Sequence, residues 1–221
     1  MIDAYCERLE PGLWTEPLNA ITNAAFILVA LVMWRRSAGQ GTPLALMLSL
    51  VLLAIGIGSA LFHTFATQWA SVADTTPILV FILLYVFAAN LHFWRMPVWA
   101  ASIGTAAFVP YAALLAWVFY QLPFFSVSAP YWPVPLLIAA YAILLRNRDR
   151  ALARGLGIGA ALLTLSLVAR SLDAPLCASI PIGTHWLWHL LNAAMLGWMI
   201  EVYLRARARQ RSALSPEARA R

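Results

Sequence analysis

The stretch PLALMLSLVLLAIGIGSALFH, residues 43–63, holds nothing more polar than serine before its final histidine. A helix of that length covers the roughly 30 Å hydrocarbon core of a bilayer at about 1.5 Å rise per residue. Pro43 suits its first turn, where a missing N–H costs nothing. Outward from it, comparable runs occupy Leu18–Trp34, Pro77–Trp94, Val98–Tyr120 and Thr184–Leu204, with weaker ones at Trp132–Leu145 and Ala151–Val168. The chain is 62% hydrophobic and 11% charged, whereas a soluble domain carries about a quarter charged residues. The expectation is an all-α integral membrane protein: one domain of seven transmembrane helices over residues 1–205, then an arginine-rich tail over 206–221, frayed from about Ala206.

Charge sets the orientation. Arg35 and Arg36 follow the first run and Arg95 the third. Arg146, Arg148, Arg150 and Arg154 join the fifth and sixth, and Arg205, Arg207, Arg209, Arg211, Arg219 and Arg221 end the chain. Seven crossings put all of these on one side and only Arg8 and Arg170 on the other. The positive-inside rule then makes the C-terminus cytoplasmic and the N-terminus external. Residues 1–16 carry Asp3, Glu7, Glu10 and Glu16 against Arg8, unlike the basic start of a signal peptide, so the first run is read as a retained helix. All 15 basic residues are arginine. Without a lysine amine there is no retinal Schiff base. The net charge of +6 lies mostly at the inner face, where lipid headgroups account for it, so no nucleic-acid partner is expected.

The polar residues inside this framework gather at one depth. His63 ends the second run, while His185 and His189 open the last, so all three lie at the outer face; His92 lies at the inner one. His185 and His189 are spaced i, i+4 and share a helix face, as do Ser59 and His63. Asp74 precedes the third run, also outside. Ionisable groups in a membrane usually face a cavity or one another. Three neutral imidazoles with an open fourth position form a catalytic zinc shell. In such a site Asp74 would carry the proton from water to a leaving amine, and Ser59 would donate to an oxyanion. Each residue also has a plainer reading: Asp74 as the N-cap of the third helix, Ser59 bonded to its own i−4 carbonyl, His92 as an interfacial residue. Asn192 is a candidate partner of the histidine site. Asn19 and Asn23, at i, i+4, are expected to bond between helices.

The set Ser59, His63, Asp74, His185 and His189, with the segments Tyr5-Cys6-Glu7-Arg8 and Glu16-Pro17-Leu18-Asn19-Ala20-Ile21-Thr22-Asn23, resembles the alkaline ceramidase family. That family belongs to the membrane-hydrolase superfamily that includes the progestin and adiponectin receptors. The resemblance runs from about Asp3 to Tyr203. It implies seven transmembrane helices, zinc on His63, His185 and His189, Asp74 and Ser59 as catalytic residues, and hydrolysis of the amide of ceramide, a lipid substrate. It also implies a calcium site in the acidic N-terminal segment, for which Asp3, Tyr5, Glu7 and Glu16 are the candidates. An acidic external terminus that simply obeys topology explains the same residues. Cys6 and Cys177 both fall on the outer, oxidising side, and the resemblance includes this pairing as a disulfide. A lipid-sensing receptor or scaffold with a structural zinc is the rival reading; a metal transporter fits less well, because the ligands sit at one end rather than along a path. Arginine-only basic residues and alanine-rich helices suggest a bacterial member, with the site facing the periplasm from the inner membrane; in a eukaryote it would face an organelle lumen.

Overall fold

The computed structural model describes residues 2, 4–10 and 12–213, and among these the regular structure is helical throughout. Helices α1 (Pro17–Thr22) and α2 (Ala24–Ser37) form the first long stretch. They are followed by α3 (Pro43–Phe65), α4 (Gln68–His92), α5 (Val98–Tyr120), a single turn α6 (Pro123–Ser126), α7 (Pro133–Leu145), α8 (Arg150–Ser171), a second single turn α9 (Asp173–Leu176) and the long α10 (His185–Ser212).

Pro17–Ser37, Pro43–Phe65, Gln68–His92, Val98–Tyr120 and Arg150–Ser171 are long and apolar enough to cross a membrane. Large apolar side chains such as Leu28, Ile103, Leu114, Trp117, Ile143 and Leu144 lie exposed on the bundle's outside, a surface suited to lipid rather than water. The other two helices depart from that pattern for different reasons. Helix α7 has only 13 residues, about 20 Å at 1.5 Å each. Helix α10 has 28 residues, but its polar His185, His189 and Asn192 are buried. Their polarity lowers its average hydropathy without facing lipid. Helix α10 packs against α2, α3 and α8, and the core residues Leu196, Met199, Ile200 and Tyr203 line its inner face.

Three local expectations change. The break between α1 and α2 falls at Asn23, whose side-chain amide donates to the Asn19 carbonyl at 2.8 Å. That bond takes an acceptor the helix backbone would use, so Asn23 bonds within its own helix and not across to another. Helix α4 begins at Gln68, not at Pro77, so Asp74 lies two turns inside it and is not its N-cap. Helix α10 stays helical to Ser212. Its end is tied down where Arg211 donates to the carbonyls of Gln40 and Gly41. Residues 214–221 of the arginine tail lie outside the described residues.

The arginine end of the bundle is fastened by exposed pairs. Arg36 and Arg205 reach Glu201 at 3.2 and 2.7 Å, and Arg209 reaches Asp149 at 3.1 Å. The histidine end is closed by the N-terminal segment, which is pinned by Ile2 N–H to the Ala66 carbonyl at 2.7 Å and by a Cys6–Cys177 disulfide. The expected pairing of the two cysteines is therefore present.

Candidate metal centre

His63 lies in the last turn of α3, and His185 and His189 in the first turns of the antiparallel α10. Helix termini thus bring the three imidazoles to one level, fully buried, with one ring nitrogen from each within 4.8 Å of the others. Their ring centroids are 4.6–5.0 Å apart.

The hydrogen bonds behind the rings select the tautomers. His63 Nδ1 bonds to Glu16 Oε2 at 2.5 Å. An ionised carboxylate only accepts, so Nδ1 carries the proton. His189 Nδ1 lies 2.9 Å from the Thr22 hydroxyl. That hydroxyl has a carbonyl to donate to, Leu18 O at 2.8 Å, and so accepts from His189. Both Nε2 atoms are left with free lone pairs. His63 Nε2, His189 Nε2 and His185 Nδ1 are buried and have no hydrogen-bond partner among the described residues. Buried polar atoms are rarely left in this state. A metal ion held by the three imidazoles satisfies all of them at once, so the donor set fits a metal such as zinc.

Glu16 is the keystone behind the rings. Its other oxygen accepts from Arg8 Nε at 2.6 Å, and Asn19 Nδ2 approaches Oε2 at 3.3 Å. Burial works against its ionised form, yet the hydrogen bond from His63, then the hydrogen bond and charge of Arg8, hold its carboxyl below the ordinary carboxylate range. The other residues expected to hold calcium have different occupations. Glu7 accepts from the amides of Leu18 and Asn19 at 2.6 and 2.8 Å, capping α1. Tyr5 stacks on His185 with ring centroids 3.6 Å apart and accepts from Arg170 at 3.4 Å. Burial raises its phenol pKa, so it stays protonated. Asp3 lies outside the described residues.

Ser59 and Asp74 meet across α3 and α4, where the Asp74 carboxyl interacts with the Ser59 hydroxyl. The backbone explains the meeting. Pro77 has no N–H to give the Ala73 carbonyl four residues earlier. That carbonyl instead faces Gly58, where any Cβ would collide with it and crowd Asp74. Glycine lets the helices approach closely, which carries Asp74 up to Ser59.

Ser59, Asp74, His185 and Arg170 line one chamber. It adjoins an apolar cavity bounded by Phe81, Leu163, Met195 and Met199, among others. Trp188, Tyr131 and Asn192 belong to both walls. Asn192 therefore sits at the junction of the two spaces, while the ring nitrogens behind the site are bonded by Glu16 and Thr22.

Sequence reasoning missed three residues. The sequence offers two readings of Glu16, a calcium ligand or part of an acidic external terminus, and neither makes it the partner of His63; Thr22 is not singled out. Asp173 was overlooked entirely. Its buried carboxylate accepts from the amides of Cys6, Thr184 and His185 at 2.9, 2.7 and 2.9 Å. It ties the N-terminal segment to the start of the histidine helix. Gly183 (φ 64°) makes room, since a Cβ there would strike the Asp173 carboxylate. The signal available for Asp173 was its place four residues before Cys177.

Five helical stretches among the described residues are long and apolar enough to cross a membrane, and one end of the bundle holds a buried three-histidine group that could bind a metal ion. A family comparison narrows this: the chain matches Ceramidase over residues 11–216 and belongs to that family. No curated protein matches it. Membership implies a hydrolase acting on the amide of a lipid.

Proposed function

We propose that this protein is a zinc-dependent membrane amidase that hydrolyses the N-acyl amide of a ceramide-like lipid. The observation that carries the reading is the buried group His63, His185 and His189, with one ring nitrogen from each within 4.8 Å of the others and each with a ring nitrogen that has no hydrogen-bond partner among the described residues, beside a chamber that His185 lines together with Asp74 and Ser59. His63, His185 and His189 would hold the zinc. When bound, it supplies a Lewis acid that polarises a carbonyl and makes water nucleophilic near neutral pH. Asp74 accepts the proton of the attacking water and delivers it to the leaving amine. Ser59, freed from Asp74, donates to the oxygen of the former carbonyl as charge develops there. The acyl chain lies in the apolar cavity beyond Trp188, and Asn192 faces the lipid where the two spaces meet.

The bundle crosses the membrane seven times in this reading, with α7 and α10 as the two less typical crossings. The arginine end is cytoplasmic and the histidine end external, periplasmic if the source is bacterial. A receptor with a structural zinc would use the same three histidines but would have no use for Asp74. Calcium finds weak support, since its described acidic candidates, Glu7 and Glu16, already serve protein donors.

Asp74→Asn separates enzyme from receptor. We expect bound zinc to be retained and fatty-acid release from a short-chain ceramide to fall about 10²–10⁴-fold, the usual contribution of a general acid–base. Full release by the variant would remove Asp74 from the reaction and favour the receptor reading.

A further inference from the structure

We propose that Arg8 is a built-in cation that anchors Glu16, and through it His63, so that the metal centre of this chain needs no calcium. The inference rests on the zinc reading above. A carboxylate buried as deeply as Glu16 requires a compensating positive charge. A calcium ion would answer that need with six to eight oxygen ligands. Here a guanidinium stands in that place. Arg8 Nε lies 2.6 Å from Glu16 Oε1, with the two side chains 2% and 1% exposed. Arg8 is itself fixed, donating from Nη1 to the Thr15 hydroxyl at 2.5 Å and to the Gly12 carbonyl at 3.3 Å. Its positive charge repels a divalent ion at the same carboxylate.

Glu7, the other described acidic candidate for calcium, points the same way. Each Glu7 oxygen accepts one of the first amides of α1, which fixes the helix that presents Thr22 to His189. The order Arg8, Glu16, His63 is thus a row of cation, anion and N–H donor. It keeps the carboxylate ionised, the proton on His63 Nδ1 and the lone pair on Nε2 aimed at the metal. Arg8 touches neither metal nor substrate; it is a positioning residue. Partners of this kind typically contribute 10–100-fold to metal affinity when removed.

The test uses the full chain purified in detergent, with zinc affinity measured by competition against a chromogenic chelator. Each measurement is made with excess calcium and again with a calcium-selective chelator. We expect wild-type zinc affinity to be the same in both conditions. Arg8→Gln should weaken it roughly 10–100-fold, Arg8→Lys should recover part of the loss, and calcium should restore neither. Far-UV circular dichroism reports whether each variant is folded. If Arg8→Gln does not fold, Arg8→Lys carries the comparison, since lysine keeps the charge but loses the planar fork. Wild-type affinity that falls when calcium is removed, or an Arg8 variant (Gln, or Lys in its stead) that binds zinc as tightly as wild type, would overturn the proposal. Because the readout is metal and not turnover, the expected zinc pattern without lipid cleavage would refute only the hydrolase reading. A wild-type chain that binds no zinc refutes both.

Discussion

The two ends of the bundle use the same kinds of residue for opposite purposes. At the arginine end, Glu201 meets Arg36 and Arg205, whose side chains are 56% and 57% exposed. Such pairs lie in high dielectric, lose side-chain entropy and are screened by salt. At the histidine end, Arg8, Glu16 and His63 meet with side chains no more than 2% exposed. There each charge depends on its partner, because an unpaired one would be left without water. One end is a solvated boundary whose members are individually dispensable. The other is a single network in which removing any member exposes the rest to an unmet desolvation cost. Ionisable residues in a membrane chain thus become informative about chemistry when they are buried together.

The sharpest way to break this contrast is His189→Ala, which should reduce bound zinc to background and abolish hydrolysis, as read by metal analysis beside fatty-acid release. Retained zinc would mean that the three imidazoles are not its ligands. Next in size is Ser59→Ala, expected to lower kcat by about 10²–10³-fold with zinc content unchanged, as for a lost oxyanion donor. A loss of zinc instead would give Ser59 a role in building the site. Thr22→Val removes the acceptor behind His189 and should weaken zinc binding by about tenfold, at the low end for such partners. Chelator competition measures it, and unchanged affinity would show that the helix alone orients the ring. The smallest effect belongs to the arginine end. Glu201→Gln should change stability by less than about 1 kcal/mol and leave hydrolysis as it was, measured by thermal unfolding and turnover. A large effect there would erase the distinction between the two ends.

The three histidines of the candidate metal centre were legible in the sequence because helical spacing and membrane depth are both one-dimensional. His185 and His189 share a face at i, i+4, and alternating crossings carry His63 to their level. Asp74 was found for its depth but given too little helix. The stretch Gln68–Thr76 is too polar to read as a span, yet it folds as helix because part of that polarity, from Ser71, Asp74 and Thr75, lines the chamber. The inward histidines and asparagine of α10 lower its hydropathy in the same way, yet the run Thr184–Leu204 is still legible. The supporting residues were harder. Nothing in the local pattern tells a carboxylate that binds a cation from one that orients an imidazole; Glu16 is assigned only once Arg8 and His63 are seen on its two oxygens. Asp173 was invisible for a related reason, since its three donors come from segments far apart in the chain.

The measurement that tests the central claim most directly is zinc content together with cleavage of a fluorescent short-chain ceramide. Both are read on one preparation of the purified protein, before and after a strong chelator. The expected result is about one zinc per chain, the fit of a single three-histidine shell, and fatty-acid release that disappears with the metal and returns when zinc is restored. Ceramide cleavage that survives complete removal of metal, or a protein that never takes up zinc, would contradict it.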